Sequence, residues 1–314
     1  MKTWLRFLLG RMAGAVIVVW IVVSAVFALA YVLPADPARA AVGPHADVAT
    51  IERVRVQLCL DKPFLTQYGC HVGRLAKLDF GMSFRSGRPV SKILAERIGP
   101  TALLAFTALG LMLCIAAPLA MIGTRSRRKH FDRVAMVATW ILQGVPPFVL
   151  GPLLAILFSY RLGLLPASGA GEFGVDRFEH LILPAFTLAL GGIATYARLL
   201  QGELSRSLAA PHVRVALAKG ASDARALVNH ALPLAVGPII AIAGVDLGVL
   251  LGGAAITEYV FGWPGLGHEA VMGVLELDLP VVLGVVLVTA IAVVLANLIA
   301  DIVHAIIDPR VRPR

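Results

Sequence analysis

Six long apolar runs constrain this chain more than any other feature of its sequence. They span residues 12–33, 100–122, 134–158, 181–200, 233–256 and 280–303, and the fourth run is the shortest. An α-helix needs about 20 apolar residues to cross ~30 Å of hydrocarbon. Only 15% of the residues are charged, against about 25% in soluble domains. The pattern predicts an all-α polytopic membrane protein with six transmembrane helices. It excludes a cytosolic enzyme, a disordered regulator and a secreted disulfide scaffold.

The basic residues are unevenly distributed among the segments that connect these runs. More than half of the 28 Lys and Arg residues lie in the two terminal tails, between runs two and three, and between runs four and five. The segment 257–279 has none, and the segment between runs three and four has only Arg161 and Arg177. Because cytoplasmic loops carry the excess of Lys and Arg, we expect both termini in the cytoplasm. The positive charge therefore reflects membrane orientation, and we expect no nucleic-acid partner.

A cleaved signal peptide is an alternative interpretation of the first run, because basic residues precede it. It extends over about 22 residues, whereas the hydrophobic region of a signal peptide has about 7–15. We therefore retain it as the first span.

The long connection 34–99 is expected on the external side as a small α-rich cap, with a turn at Asp79-Phe80-Gly81. Cys59 and Cys70 both fall in this connection, in a compartment that permits disulfides. They either close a short disulfide loop or remain two free thiols. Cys114 falls in the second run, where a small core residue is expected.

Span three contains the adjacent prolines Pro146 and Pro147. Each proline removes a backbone donor, so this helix is predicted to be kinked or broken. Irregular backbone at membrane depth occurs where it is buried in protein or lines a wet cavity. The two prolines therefore mark either a packing kink or an element that moves or lines a pathway.

Asp246 lies within span five, where a carboxylate is costly and normally faces the interior of a bundle or a wet cavity. It marks either a pathway or a structural hydrogen bond to a neighbouring helix. Gly248, Gly252 and Gly253 of the same span form a small-residue face on which another helix can pack closely. Asp246, Gly252 and Gly253 are our pathway candidates, together with Pro146 and Pro147.

The sequence contains no phosphate-binding loop of the type G-x-x-x-x-G-K-[S/T] and no recognisable catalytic motif. Gly262, Gly265 and Gly267 follow no strand and are interpreted as an external turn. The eight histidines are dispersed. We therefore predict no catalytic residue, no metal site and no cofactor in this chain.

The segment 201–232 between spans four and five combines apolar and basic residues. A helix running to about Lys219 is expected to stop at Gly220, which suits a left-handed conformation, and Ser222 or Asp223 can cap the next helix. The result is a short amphipathic helix–turn–helix. It is either an ordinary connector or an element that docks into a groove of another protein.

This segment, "VRVALAKGASDARALVNHALP", resembles the EAA loop of binding-protein-dependent ABC importer permeases. Further blocks appear in family order: "LPADPARA", "LCLDKPFLTQY", "LDFGMSF", "GRPV", "LGLLPASG", "GVLLGGAAITEYVFGWPGLG" and "DPRVR". Nearly the whole chain is therefore similar to the first, B-type permease of the dipeptide, oligopeptide, nickel and glutathione branch. Two departures are the Pro233-Leu234 pair, where the family commonly has Arg-Asn, and the two external cysteines.

The resemblance implies a type I importer fold, with residues 1–314 forming a single permease domain in a bacterial inner membrane. It implies a heterodimer with a second permease, two cytoplasmic ATPase subunits that bind ATP and Mg²⁺, an external solute-binding protein, and surrounding lipid. This chain would then be a non-catalytic translocation subunit that works by alternating access.

The resemblance also implies residue roles. Glu258, Trp263 and His268 are candidates for contact with the binding protein or the substrate. The coupling helix that contacts the ATPases maps onto Arg214, Val215, Ala216, Leu217, Ala218, Lys219, Gly220, Ala221, Ser222 and Asp223.

The family resemblance leaves the identity of the substrate open. The blocks favour short peptides, glutathione included, with nickel or a metal chelate as the alternative in the same family. A stand-alone secondary transporter is a more distant alternative, because it would need coupling acids in several spans. A membrane-embedded enzyme would need a set of catalytic side chains that is not visible in the sequence.

Overall fold

The computed structural model of the protein describes residues 2–32, 38, 47–57, 59–125, 137, 141 and 144–307. Three parts of the predictions lie outside these residues. They are most of the first half of span three, the start of the connection 34–99, and the C-terminal "DPRVR" block.

The described chain is helical, and helices α1 to α12 are numbered in chain order. Two π-helical segments, Ile156–Arg161 and Ala226–Ala231, continue α5 and join α8 to α9. The helices are α1 (Lys2–Val32), α2 (Val48–Gln57), α3 (Phe64–Leu75), α4 (Val90–Arg125), α5 (Pro147–Ala155), α6 (Val175–Leu208), α7 (Pro211–Ala218), α8 (Asp223–Arg225), α9 (Leu232–Gly253), α10 (Ala255–Phe261), α11 (Leu266–Leu275) and α12 (Leu279–Ile307).

Five helical stretches in the described residues are long and apolar enough to cross a membrane: Leu9–Leu29, Val90–Thr124, Val175–Leu208, Asp223–Gly252 and Leu279–Val303. They coincide with predicted spans one, two, four, five and six, which confirms the all-helical membrane fold. Predicted span three appears as the shorter apolar helix Pro147–Arg161. Residues 134–136, 138–140 and 142–143 of that span lie outside the described part.

The fourth span, predicted at 181–200, lies within the 34-residue helix α6. Charged side chains towards both ends of this helix, among them Arg177 and Glu203, limit its apolar run. Its most apolar window is 67% buried, against 6–33% in the other four spans.

The core lies along the contact between α4 and α6, with α9 packed against both. It contains Leu104, Ala108, Leu188, Tyr196 and Leu204. Helix α12 packs along α9, and α1 packs on the outer side of α12. An ion pair joins Arg11 of α1 to Asp301 of α12 at 2.9 Å, so the start of α1 and the end of α12 lie at the same end of the bundle.

The predicted break in span three is confirmed. Pro146 has extended backbone (φ −58°, ψ 140°) and α5 begins at Pro147. The missing N–H of a proline costs nothing in the first turn of a helix, so the pair starts a helix rather than kinking one.

The connection between spans one and two forms the expected small helical unit. Helix α3 packs on the end of α1 through Phe27, Phe64 and Tyr68, with ring centroids 5.3–5.4 Å from that of Phe27. Cys59 and Cys70 are joined by a disulfide bond in this structure. The turn at Asp79–Gly81 is confirmed, because Gly81 has φ +86° and donates its N–H to the Asp79 carboxylate at 2.9 Å.

Candidate functional site

The segment between α6 and α9 forms a helix–turn–helix at one end of the bundle. Helix α7 ends at Ala218 and Gly220 has φ +91°. The Gly220 N–H bonds to the Leu217 carbonyl at 2.9 Å and the Ala221 N–H bonds to the Ala216 carbonyl at 3.1 Å. This pair of bonds is a Schellman motif, which satisfies the last carbonyls of the helix and requires a left-handed residue. The predicted stop at Gly220 is confirmed.

Ser222 begins the next helix. Its backbone is extended and its hydroxyl accepts a hydrogen bond from the N–H of Arg225 at 3.4 Å. Of the two caps that the sequence offered, the structure uses Ser222, because a side-chain oxygen at that position can satisfy an orphan N–H of the first turn. The turn between the two helices is therefore fixed by local bonds at both sides.

The surface of this helix–turn–helix is divided into a buried and an exposed side. Val213 of α7 and Leu227 of the π-helical segment Ala226–Ala231 are buried, and both of these elements pack against α6. Val215 is 52% exposed and Leu217 is 37% exposed, and Arg214, Lys219 and Asp223 are exposed beside them. An exposed patch that mixes apolar and charged side chains on a rigid turn is suited to docking.

Asp246 lies at the contact between α9 and α6. Its carboxylate accepts a hydrogen bond from the Tyr196 hydroxyl at 2.7 Å, and Tyr196 has no exposed surface. A polar pair in the interior of a membrane bundle stabilises the helix contact and also provides a polar point within an apolar wall. The structure thus shows the hydrogen bond of the structural alternative, and the pathway role of Asp246 stays a prediction.

Three glycines of α9 face a different helix, α12. A Cβ at Gly244 would collide with Ala300 of α12, while one at Gly248 would lie 3.4 Å from Val293 and one at Gly252 would lie 3.4 Å from Thr289. Positions 244, 248 and 252 thus form the close contact with α12, and Asp246 lies on the other side of α9. Gly244 was missed in the sequence, although it continues the four-residue spacing. The side of Gly253 is not described.

A cavity of about 300 Å³ lies between α9, α10, α11 and α12. Its lining is mainly apolar, with Glu258 and Thr289 as its polar members: Leu251, Gly252, Ala254, Ala255, Glu258, Gly267, Ala270, Val285, Val286, Thr289, Ala290 and Val293. Of the pathway candidates, Gly252 lines this cavity directly.

Glu258 is completely buried at the end of the bundle opposite the helix–turn–helix. Its carboxylate accepts hydrogen bonds from the Thr101 hydroxyl at 2.8 Å and from the backbone N–H of His268 at 3.1 Å. The Gly267 N–H is a third donor. Burial raises the pKa of Glu258, because removal from water disfavours the charged form, and these three donors oppose the shift.

The other two predicted contact residues lie beside Glu258. Trp263 is also completely buried and donates its indole N–H to the Pro100 carbonyl at 2.9 Å. His268 is half-buried and lies against the Tyr259 ring. The structure therefore brings Glu258, Trp263 and His268 together, but in this conformation two of them are enclosed. Thr101 and Pro100 were missed, because nothing in an apolar run distinguishes a threonine whose partner is 157 positions away.

The predicted residues therefore fall in three places. The coupling segment lies at one end, Glu258 and its neighbours lie at the other, and Asp246 lies in α9 between them. Pro146 and Pro147 lie at the start of α5, which packs on α6 and α10. Among the residues that the structure describes, no group of three His, Cys, Asp or Glu side chains is arranged to hold a metal ion.

Comparison with known proteins decides the family. Residues 100–313 match the model of the binding-protein-dependent transport system inner membrane component, and residues 4–105 match the N-terminal model of the same system. The chain belongs to this family. Its members are permease subunits of ABC importers, so the protein is a multi-pass inner-membrane component of a system that includes ATPase and substrate-binding partners.

Individual relatives agree with this assignment. The chain is 35% identical to the glutathione transport system permease protein GsiC of Escherichia coli (strain K12) over 308 residues, which is 98% of this chain and 99% of that protein. The same values hold for GsiC of Shigella dysenteriae serotype 1 (strain Sd197).

Solved structures support the permease fold. A structure of inward-facing conformations of the MetNI methionine ABC transporter matches with a TM-score of 0.58 at 18% identity, over 69% of this chain and 96% of that one. An amino acid ABC transporter with histidines matches with a TM-score of 0.50 at 17% identity, over 70% and 95%.

Proposed function

We propose that this permease is half of the translocation pathway of an ATP-driven importer for short peptides of the di- or oligopeptide or glutathione type. The observation that carries the proposal is the 35% identity to a glutathione transport permease along 98% of this chain. A relationship that extends through every span and every connection is stronger support than a match confined to the coupling segment.

The proposed assembly contains a second, homologous permease, two cytoplasmic ATPase subunits and an external solute-binding protein. Residues 1–314 form the single permease domain. ATP and Mg²⁺ belong to the ATPase subunits, and this chain contributes no catalytic group. The exposed patch around Val215 and Leu217 supports an ATPase-docking role for residues 214–223, because it lies on a turn fixed at Gly220 and Ser222.

The proposed orientation places both termini in the cytoplasm. The Arg11–Asp301 ion pair supports a common side for the start of α1 and the end of α12. The basic residues of the coupling segment favour the cytoplasm for the end of the bundle that holds α7. Glu258 and helices α10 and α11 then face the external side.

The proposed mechanism is alternating access. Closure of the ATPases moves the coupling segment, the movement is transmitted through α6 to the bundle, and the pathway opens toward the binding protein. We keep two candidate places for this pathway, on opposite faces of α9. One is the Tyr196–Asp246 pair on the side of α6, with the break at Pro146 and Pro147. The other is the cavity next to Gly252 on the side of α12.

The test is ATP hydrolysis and uptake by the complete complex in liposomes, with the cognate binding protein. We expect glutathione or short peptides to stimulate hydrolysis and to accumulate inside. Stimulation by chelated nickel alone would contradict the substrate assignment while leaving the family intact. Uptake that persists with a catalytically inactive ATPase subunit would contradict the proposal itself, because it would indicate a secondary transporter.

A further inference from the structure

One turn of α4 is held by helices α10 and α11 through four polar contacts. The Thr101 hydroxyl donates to Glu258 at 2.8 Å and accepts from the Leu266 N–H at 2.8 Å. The Pro100 carbonyl accepts from the Trp263 indole at 2.9 Å. We call this set the α4 latch; its fourth contact is the Arg97–Glu269 ion pair at 2.7 Å.

Three glycines near Glu258 permit the close packing of the α10–α11 connection in this region. A Cβ at Gly265 would collide with the Glu258 carboxylate, and a Cβ at Gly267 would collide with Ala255. Gly262 has φ +60°, and the Trp263 N–H bonds to the Glu258 carbonyl at 2.8 Å, which closes α10. The three glycines of the turn therefore allow the backbone to approach the carboxylate and to present its N–H groups to it.

The part of α4 that the latch holds is a natural point of bending. Pro100 lies inside the helix and supplies no N–H to the preceding turn. The Pro100 carbonyl also accepts a hydrogen bond from the indole N–H of Trp263, outside the helix. Position and orientation of α4 at this point thus depend on α10 and α11 as well as on its own helical bonds.

Beyond the latch, α4 runs along α6 in the most extensive helix contact of the described chain. Helix α6 leads into α7 and the coupling segment. In the other direction, α10 and α11 form the connection between spans five and six, on the side that the proposed orientation makes external. The latch is therefore the place where the external connection meets the pair of helices that continues to the ATPase side.

We propose that Thr101 and Glu258 are positioning residues that couple docking of the binding protein on the external side to the α4–α6 pair, and through it to ATP hydrolysis. This inference rests on the proposed function. A set of buried hydrogen bonds that is either complete or broken suits such coupling, because each unpaired member is costly.

The experiment compares basal and binding-protein-stimulated ATP hydrolysis of the full complex in liposomes, for the wild type and for variants of α4. Thr101→Val keeps the shape of the side chain but removes both hydrogen bonds of its hydroxyl. Thr101→Ser keeps the hydroxyl. Thr107→Val is the matched control, because the Thr107 hydroxyl donates only to the Leu103 carbonyl of its own helix among the contacts described, at 2.8 Å.

For Thr101→Val we expect unchanged basal hydrolysis and a stimulation that falls by about fivefold or more, the lower end of coupling between two sites. Thr101→Ser restores the stimulation, and Thr107→Val behaves as the wild type. Should Thr101→Val not reach the membrane, Glu258→Gln replaces it. Glutamine keeps the volume of the side chain, but its NH₂ group replaces one of the two carboxylate oxygens that accept hydrogen bonds. The ratio of stimulated to basal hydrolysis then falls in Glu258→Gln.

Three results would overturn the inference. The first is normal stimulation in Thr101→Val. The second is an equal fall of basal and stimulated hydrolysis together with a lower melting temperature, which indicates a purely structural role. The third is a wild-type complex whose ATP hydrolysis the binding protein does not stimulate at all. That result would contradict the proposed function as well as the role of the α4 latch.

Discussion

At the scale of single residues, three acids of this permease are satisfied in the same way: Glu258 and Asp278, which are buried, and Asp246, which is half-buried. Asp246 accepts from a tyrosine hydroxyl, Glu258 from a threonine hydroxyl and backbone N–H groups, and Asp278 from the Ser83 hydroxyl at 2.5 Å and the Phe84 N–H at 3.1 Å. The donors described for them are neutral. Neutral donors satisfy a carboxylate without burying a second charge, which would carry its own desolvation cost.

Tyr196→Phe removes the hydroxyl that donates to the half-buried carboxylate of Asp246. We expect the free energy of unfolding to fall by about 0.5–1.5 kcal/mol, the net contribution of one hydrogen bond. Thermal unfolding of the purified protein in detergent measures this. Tyr160→Phe is the control, because Tyr160 is 89% exposed. Equal melting temperatures for the two variants would show that the Tyr196–Asp246 bond adds no stability.

At the scale of elements, glycine is required at two positions for different reasons. Gly220 needs a left-handed backbone and has open space around it, whereas Gly244 has ordinary helical backbone and no space. The first is a constraint on conformation and the second is a constraint on packing. Substitution by alanine separates them, because alanine adds one methyl group and disfavours positive φ.

Gly220→Ala should lower stability by about 1–2 kcal/mol through backbone strain, and it should weaken transport because the turn that carries the coupling segment shifts. Gly202→Ala is the matched control in α6, where no atom lies within 4 Å of the added methyl group; there alanine is the better helix former. Uptake and melting temperature are measured for both. A Gly220→Ala protein that transports as well as Gly202→Ala would contradict the docking assignment.

Gly244→Ala should separate α9 from α12, since the added methyl group collides with Ala300. We expect a loss of about 1–3 kcal/mol, as for other overpacked contacts. Gly248→Ala should cost less, because its methyl group would meet Val293 at 3.4 Å, an ordinary contact. Melting temperatures of the two variants, compared with the wild type, give the order. The reverse order would mean that the helices meet at a different depth.

At the scale of the whole molecule, the protein has two ends with different tasks. The end with α10 and α11 contains the buried hydrogen bonds of Glu258, and the end with α7 contains the turn fixed at Gly220 and Ser222. Among the residues that the structure describes, the long helices α1, α4, α6, α9 and α12 run between the two ends. We expect a signal between the external partner and the ATPases to pass along helices of this kind.

The proposed orientation and the disulfide can be tested together by thiol labelling. In the denatured, unreduced protein we expect one reactive cysteine, Cys114, and after reduction all three. In intact cells, a membrane-impermeant maleimide should label Lys77→Cys and spare Ser222→Cys, because the two exposed positions lie on opposite sides. The unsubstituted protein is the control for background. Labelling of Ser222→Cys from outside would reverse the orientation.

The sequence by itself determined the membrane class, the positions of five described spans, the break at Pro146–Pro147, and the turn at Gly220; the choice of Ser222 over Asp223 as the cap came from the structure. These features depend on hydrophobic runs and on local backbone chemistry, which neighbouring residues decide. It also pointed to the family through blocks distributed along the chain.

Only the tertiary structure decided which buried polar groups meet. Tyr196 and Asp246 are 50 positions apart, and Thr101 and Glu258 are 157 positions apart. Likewise, only the packing of α9 on α12 shows that Gly244 belongs to the close contact and that Asp246 faces the other way. Such pairings depend on which helices become neighbours, and a local pattern carries no information about a partner that the fold brings from a distant part of the chain.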